Sequence, residues 1–150
     1  MKNRSREMEE IAPFENYIYR FKEGEPCLLS SQCTCCGYVA FPKRDDCPSC
    51  MSKSSSQEME LSREGTIATY SVLHVAPSGG TAPYAVANIK MPEGPEIFSM
   101  LCDYDSSKIA PRIGARVRVA IGKIREDENG KAVMCYKFKL LDETSEERCR

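Results

Sequence analysis

Cys33-Thr34-Cys35-Cys36-Gly37 and Cys47-Pro48-Ser49-Cys50 stand on either side of the loop Tyr38-Val-Ala-Phe-Pro-Lys-Arg-Asp-Asp46. A CxxC turn points both of its sulfurs the same way. Two such turns separated by residues 37–46 can therefore present four thiolates tetrahedrally to one ion. Glycine after the second cysteine of the first knuckle permits the positive φ that aims backbone N–H groups at sulfur, which makes Cys36 the ligand and Cys35 the bystander. The second knuckle has Met51 where that glycine would stand, so its turn is expected to close in another way. Zinc is the default occupant of Cys33, Cys36, Cys47 and Cys50, because a closed four-thiolate site contributes folding energy and leaves no open position for chemistry. A rubredoxin-like iron uses the same ligand set and is the second reading, and a redox disulfide in either CxxC is the third.

Outward from this ribbon, the texture of the chain changes twice. On the N-terminal side, Ile11, Phe14, Ile18 and Phe21 recur at helical spacing, with Pro13 placed for a first turn and Gly24 for a stop. This predicts a short amphipathic helix over residues 14–23, packed on the chain itself or on a partner. On the C-terminal side, Ser52-Lys-Ser-Ser-Ser-Gln57 reads as a polar joint, and from Gly65 onward short β-branched and aromatic runs alternate with turn signals.

Five strands follow from those runs. The first, Thr66 to Ala76, carries Ile67 on one parity and Tyr70 and Val72 on the other, the mark of a bent strand that changes face. Tyr84 to Met91 and Ile97 to Cys102 form a hairpin through Pro92-Glu-Gly-Pro95. A fourth strand alternates Val117, Val119 and Ile121 with Arg116 and Arg118, and a fifth puts Met134, Tyr136, Phe138 and Leu140 on one face, with Asn129-Gly130 turning between them. Asp105 to Ala110, closed by Pro111 and Gly114, reads as a capped helical turn. Five strands with a short helix between the third and fourth is the order of an OB-fold. The expected architecture is mostly β: an N-terminal helical segment over 1–25, a rubredoxin-like zinc ribbon over 26–58, a five-stranded OB-fold barrel over 59–141 and an acidic tail over 142–150.

Composition narrows the function. The formal net charge is -1 with 41% hydrophobic residues, and no stretch is strongly basic. The phosphate neutralisation that drives nucleic-acid binding is therefore not available from the whole chain, although Arg116, Arg118, Lys137 and Lys139 form a modest basic strip. Nine cysteines, an odd number with four in CxxC pairs, favour metal in a reducing compartment over a disulfide framework. Cys27, Cys35, Cys102, Cys135 and Cys149 lack paired spacing and read as small hydrophobes. The charged N-terminus has no apolar run behind it, and no run approaches the roughly 20 apolar residues of a membrane span, so the expected location is the cytoplasm. Catalytic signals are missing. The single histidine, His74, lies in the first barrel strand with no Ser/His/Asp set, and Pro77-Ser-Gly-Gly-Thr-Ala-Pro83 reads as a connector more than as a phosphate cradle. Lys43 and Arg44, on the loop between the knuckles, read as solvated cations, with an anionic ligand or acidic partner as the sharper alternative.

The run Cys33-Thr-Cys-Cys-Gly-Tyr-Val-Ala-Phe-Pro-Lys-Arg-Asp-Asp-Cys-Pro-Ser-Cys50 resembles the zinc ribbon of the family known as domain of unknown function 35. Glu64-Gly-Thr-Ile-Ala-Thr-Tyr-Ser-Val-Leu-His74, Ala82-Pro-Tyr-Ala-Val-Ala87 and Ile113-Gly-Ala-Arg-Val117 are similar in kind and order to that family's barrel. The chain departs from the commoner pattern at Lys43, where a proline often stands, and at Met51, where a small residue is usual; neither touches the four ligands. Such a resemblance implies a subunit without an active site of its own, partnering a thiolase-fold enzyme, or in some members a hydratase or aldolase, that acts on acyl-CoA thioesters. The catalytic cysteine would sit on the partner, the assembly would be a hetero-oligomer, and a CoA thioester would be the ligand of the complex. Nucleic-acid binding, for which zinc ribbons and OB-folds are both used, is the competing class.

Overall fold

The computed structural model describes residues 10–76, 80, 82–102 and 111–141. Among these every regular element is a strand, and no helix is long and apolar enough to cross a membrane. Ten strands run in order: β1 (Glu10–Ile11), β2 (Tyr19–Lys22), β3 (Glu25–Cys33), β4 (Val39–Ala40), β5 (Ser56–Glu60), β6 (Glu64–Leu73), β7 (Tyr84–Lys90), β8 (Glu96–Met100), β9 (Arg116–Glu126) and β10 (Ala132–Leu140).

The helix expected over residues 14–23 is not there. Turns occupy residues 13–18 up to a buried Tyr19, and β2 then pairs antiparallel with β3, Lys22 opposite Glu25. The two residues between them, Glu23 and Gly24, both take positive φ, 56° and 79°. That is a two-residue primed hairpin turn, so Gly24 reverses a strand and does not stop a helix. The reason is local composition meeting a partner. Tyr17-Ile-Tyr-Arg-Phe21 is aromatic and β-branched, a sequence that gains more from pairing on an adjacent strand than from the helix its apolar spacing allows.

β3 is the spine of the N-terminal half. It pairs with β2 at its start, and with β4 and β5 further along, where Cys33 lies opposite Ser56. The polar stretch read as a joint is thus fixed. Ser56 and Gln57 belong to β5, and the Thr34 N–H donates to the Ser55 carbonyl at 2.8 Å.

In the second half, β10, β9, β6, β7 and β8 form one sheet in that order, with β1 added in parallel to β10. A parallel bridge between Leu101 and Phe138, with the Cys102 N–H donating to the Phe138 carbonyl at 2.8 Å, brings the two ends together. The resulting ring, β6-β7-β8-β10-β9, is the OB-fold barrel expected from the five strand signals. The register slip in β6 falls between Ile67 and Thr69, where the apolar parity changes in the sequence. Alternation in β9 also holds: Val117 and Val119 are buried and Ile121 packs on the core. In β10, Phe138 is buried in the core with Tyr136 and Leu140 against it, and Met134, on the same parity, is half-buried; the register with β9 shifts just before it, between Val133 and Met134. The helical turn read at Asp105–Ala110 lies outside the described residues, as do residues 77–79 and 81 of the Pro77–Pro83 loop.

One continuous apolar cluster joins the two halves. Tyr19, Leu28 and Leu61 are buried with Ile67, Ile89, Val117 and Phe138, and Phe41 meets the ring of Tyr136 edge-on at 5.6 Å between centroids. Ion pairs reinforce the seam: Glu25 at the start of β3 takes Arg118 of β9 at 2.9 Å and Arg63 at 3.4 Å, and Arg63 also donates to the Lys22 carbonyl. The ribbon is therefore held at a fixed angle on the barrel. At these exposures each pair contributes well under about 1 kcal/mol, so the shared apolar core does most of the holding.

Candidate metal centre

The end of β3 delivers Cys33, and the chain then turns twice to bring Cys36, Cys47 and Cys50 to the same point. The four sulfurs lie within 4.8 Å of one another. Two contacts cross between the knuckles, Cys33 to Cys50 at 3.7 Å and Cys36 to Cys47 at 3.6 Å. A tetrahedral ion with metal–sulfur bonds of about 2.3 Å has sulfur–sulfur edges of about 3.8 Å, so these residues are arranged to hold one metal ion. The first cysteine of each knuckle is buried and the second is exposed. Cys35, also exposed, lends its N–H to the Cys33 sulfur at 3.3 Å.

The two knuckles have the same backbone. In the first, the Gly37 N–H donates to the Cys33 carbonyl at 3.0 Å and the Cys33 N–H to the Tyr38 carbonyl at 2.9 Å. In the second, the Met51 N–H donates to the Cys47 carbonyl at 3.1 Å and the Cys47 N–H to the Ser52 carbonyl at 3.0 Å. Gly37 has φ 77° and Met51 has φ 63°. The expectation that the second knuckle closes differently is therefore corrected: Met51 adopts the left-handed conformation itself, at roughly 1–2 kcal/mol for an L-residue. The fold can demand this because Met51 is 76% exposed, so its side chain does not have to be packed.

Hydrogen bonds to sulfur complete the centre. The Cys47 sulfur accepts from the N–H groups of Ser49 and Cys50. The hydroxyl of Ser55 lies 3.4 Å from the Cys33 sulfur and that of Ser52 lies 3.1 Å from the Cys50 sulfur. Ser55, seconded by the N–H groups of Cys36 and Cys35, pushes the Cys33 thiol down to about 5, and Ser52 lowers the Cys50 thiol. At Cys36 the Tyr38 N–H pulls downward but is outweighed by burial and by the thiols of Cys47, Cys50 and Cys33, and the group rises to about 11. Cys36 is therefore the ligand whose proton a metal ion must displace on binding.

The remaining candidates are not brought together. His74 is exposed just beyond the end of β6. Lys43 is committed to Glu58 at 2.9 Å, which with Arg20 holds the Glu58 carboxyl below its usual range; the Arg44 side chain is exposed and its N–H is spent on the Ser31 hydroxyl. The basic strip is partly neutralised, since Arg116 and Arg118 both reach Glu64. Ser52 and Ser55 were missed as site residues in the sequence because a serine-rich run carries the same signal whether it is solvated or folded over sulfur.

Residues 58–122 match the family model described as ChsH2, C-terminal OB-fold domain. A DUF35 domain-containing scaffold protein of Methanocaldococcus jannaschii is 38% identical over 119 residues, covering 77% of this chain and 83% of its own length. The protein of the same description from Methanothermobacter thermautotrophicus is 36% identical, covering 78% and 87%. The benzoylsuccinyl-CoA thiolase subunit BbsA of Thauera aromatica is 30% identical over 116 residues, covering 77% and 78%. Among solved structures, an Ltp2-ChsH2(DUF35) aldolase chain shares the fold with a TM-score of 0.59 at 24% identity, covering 76% of this chain and 84% of that one. With more than four-fifths of the archaeal scaffold protein's length matched at this identity, and the expected ribbon and barrel both in place, the chain belongs to the DUF35 family.

Proposed function

We propose that this chain is a non-catalytic, zinc-binding subunit of a thiolase-type acyl-CoA acyltransferase complex in the cytoplasm, organising the catalytic partner and its acyl-CoA substrate. The observation that carries the reading is the 30% identity over 78% of a thiolase subunit's length, together with scaffold proteins as further relatives. The geometry supports it. The one cluster of reactive side chains among the described residues is a closed four-sulfur centre, and such a centre stabilises a fold and leaves no coordination position for substrate. Zinc fits as occupant because four thiolates at tetrahedral spacing suit it, and because the ribbon strands alone offer too little apolar surface to stand without a staple. Cys33, Cys36, Cys47 and Cys50 would hold it. The barrel and ribbon, locked by a shared core, make one rigid body, which is what a subunit needs in order to position a partner.

Purification of the chain from its native cells at low salt tests the class. A stoichiometric thiolase-fold partner, with acyl-CoA turnover present in the pair and absent from either chain alone, is the expected result. An aldolase or hydratase in that position would move the reading to the alternative enzyme class, and nucleic acid as the retained partner would overturn it. Metal analysis should return one zinc per chain; a coloured, iron-bearing protein would refute the assignment of the ion.

A further inference from the structure

Two of the four sulfurs are served by hydroxyls from the serine segment that closes the second knuckle and runs on into β5. Ser52 and Ser55 belong to a tight serine turn that leads into β5, and this turn touches both knuckles at once. The Cys47 N–H donates to the Ser52 carbonyl, while the N–H and hydroxyl of Thr34 both donate to the Ser55 carbonyl. Ser55 directs its hydroxyl between the Ser52 carbonyl at 3.3 Å and the Cys33 sulfur at 3.4 Å, and Ser52 sets its own hydroxyl 3.1 Å from the Cys50 sulfur. The turn is anchored by the Ser54 N–H on the Asp46 carboxylate at 2.8 Å and by the Ser56 N–H on the Asp45 carbonyl at 3.3 Å. A hydroxyl is a donor and an acceptor that rotates to suit its neighbour. Once a sulfur is a metal-bound thiolate it can only accept, and a charge-assisted bond to it is stronger than one to a neutral carbonyl.

We infer that Ser52 and Ser55 are positioning residues for the metal centre: their hydroxyls donate to the thiolates of Cys50 and Cys33, drawing charge from those two sulfurs and fixing their direction toward the ion. The distribution supports this. Cys47, buried in the second knuckle, takes two backbone N–H groups from its own turn, whereas the exposed Cys50 lies against the Ser52 hydroxyl and takes the Ser52 backbone N–H as well. Loss of an outer partner of this kind typically weakens metal binding 10–100-fold.

This inference rests on the zinc reading, and the test separates the two. The full-length chain is loaded with Co²⁺ in place of zinc, and the sulfur-to-cobalt charge-transfer and ligand-field bands are recorded for the wild type, Ser52→Ala, Ser55→Ala, Ser55→Thr and Ser54→Ala, with zinc affinity measured by chelator competition. The expected result is a shift of the charge-transfer band to lower energy and at least a tenfold loss of affinity in Ser52→Ala and Ser55→Ala. Ser55→Thr should recover both, and Ser54→Ala should match the wild type. Spectra of Ser52→Ala and Ser55→Ala that superimpose on the wild type, at equal affinity, would overturn the inference while leaving the zinc centre intact. A wild-type chain that binds neither cobalt nor zinc would overturn the zinc reading itself. Because a general loss of packing changes affinity without moving the band, the spectrum and the threonine rescue distinguish positioning from folding.

Discussion

Gly65, at the start of the first barrel strand, is where a single methyl group should do the most damage. A Cβ built there would lie 2.7 Å from Cγ2 of Ile89, 2.8 Å from Sδ of Met91 and 2.9 Å from the carbonyl oxygen of Lys90. All three are below any separation that real Cβ atoms tolerate. The Met91 thioether can swing, but Ile89 is fully buried, and Lys90 is paired to Thr66 in the sheet, so its carbonyl cannot retreat without breaking the β6–β7 register. Overpacking of this kind costs about 1–3 kcal/mol, and with a backbone atom among the obstacles the upper half of that range applies. For a chain of this size 1 kcal/mol moves Tm by about 2–4 °C, so Gly65→Ala should lower Tm by roughly 5–10 °C in a calorimetric scan of the metal-loaded protein. Gly122→Ala is the matched control. Its Cβ would meet only the Lys137 side chain, at 3.2 Å, whose flexible end can move, and alanine is the better strand residue. Its Tm should stay within about 2 °C of the wild type, corresponding to the usual ±0.5 kcal/mol of a surface change. If Gly65→Ala melts no lower than Gly122→Ala, the tight approach of β6 to the β7 end is not a feature of the folded protein.

Cys36→Ser should abolish stoichiometric metal binding and Cys35→Ser should preserve it, as read by metal content after gel filtration; the opposite pair of results would show that the wrong cysteine was chosen. Met51→Gly should tighten zinc binding by about two- to fivefold, because relief of roughly 1–2 kcal/mol of left-handed strain exceeds the 0.5–1 kcal/mol of extra chain entropy that glycine brings; weaker binding would mean the exposed methionine makes a contact that matters. The Glu58 carboxyl is held low by Lys43 and Arg20, so its folded pKa lies below its unfolded one, and the stability it adds is present above about pH 4.3 and lost as pH falls through the folded value. Glu58→Gln should accordingly be less stable than the wild type at pH 7, by under about 1 kcal/mol since the side chain is 39% exposed, and the gap should close as pH falls through the lowered folded value; a gap that grows on acidification would contradict the pairing.

The amino-acid sequence by itself determined the features that are local. CxxC spacing places two sulfurs on one turn whatever surrounds it, alternation at Val117, Val119 and Ile121 sets the face of β9, and Asn129-Gly130 can turn between β9 and β10 because its conformational needs are met within a few residues. The parity change after Ile67 likewise announced a bulge before any partner strand was known. What tertiary structure decided are the cases where one local pattern serves two outcomes. Ile11, Phe14, Ile18 and Phe21 fit a helix by spacing, but the edge of β3 was available to pair with Tyr19–Lys22, and that pairing exceeds the modest propensity of an aromatic-rich segment for a helix. Met51 takes a conformation that its own chemistry disfavours, because both knuckles must close over the same point. Ser55 looks like a solvated linker residue until β5 folds back on β3 and carries it to the Cys33 sulfur. For the β2–β3 pairing and for Ser55 on the Cys33 sulfur the deciding term is a contact between residues distant in the chain, and one-dimensional pattern contains no record of which distant group will be there to meet it.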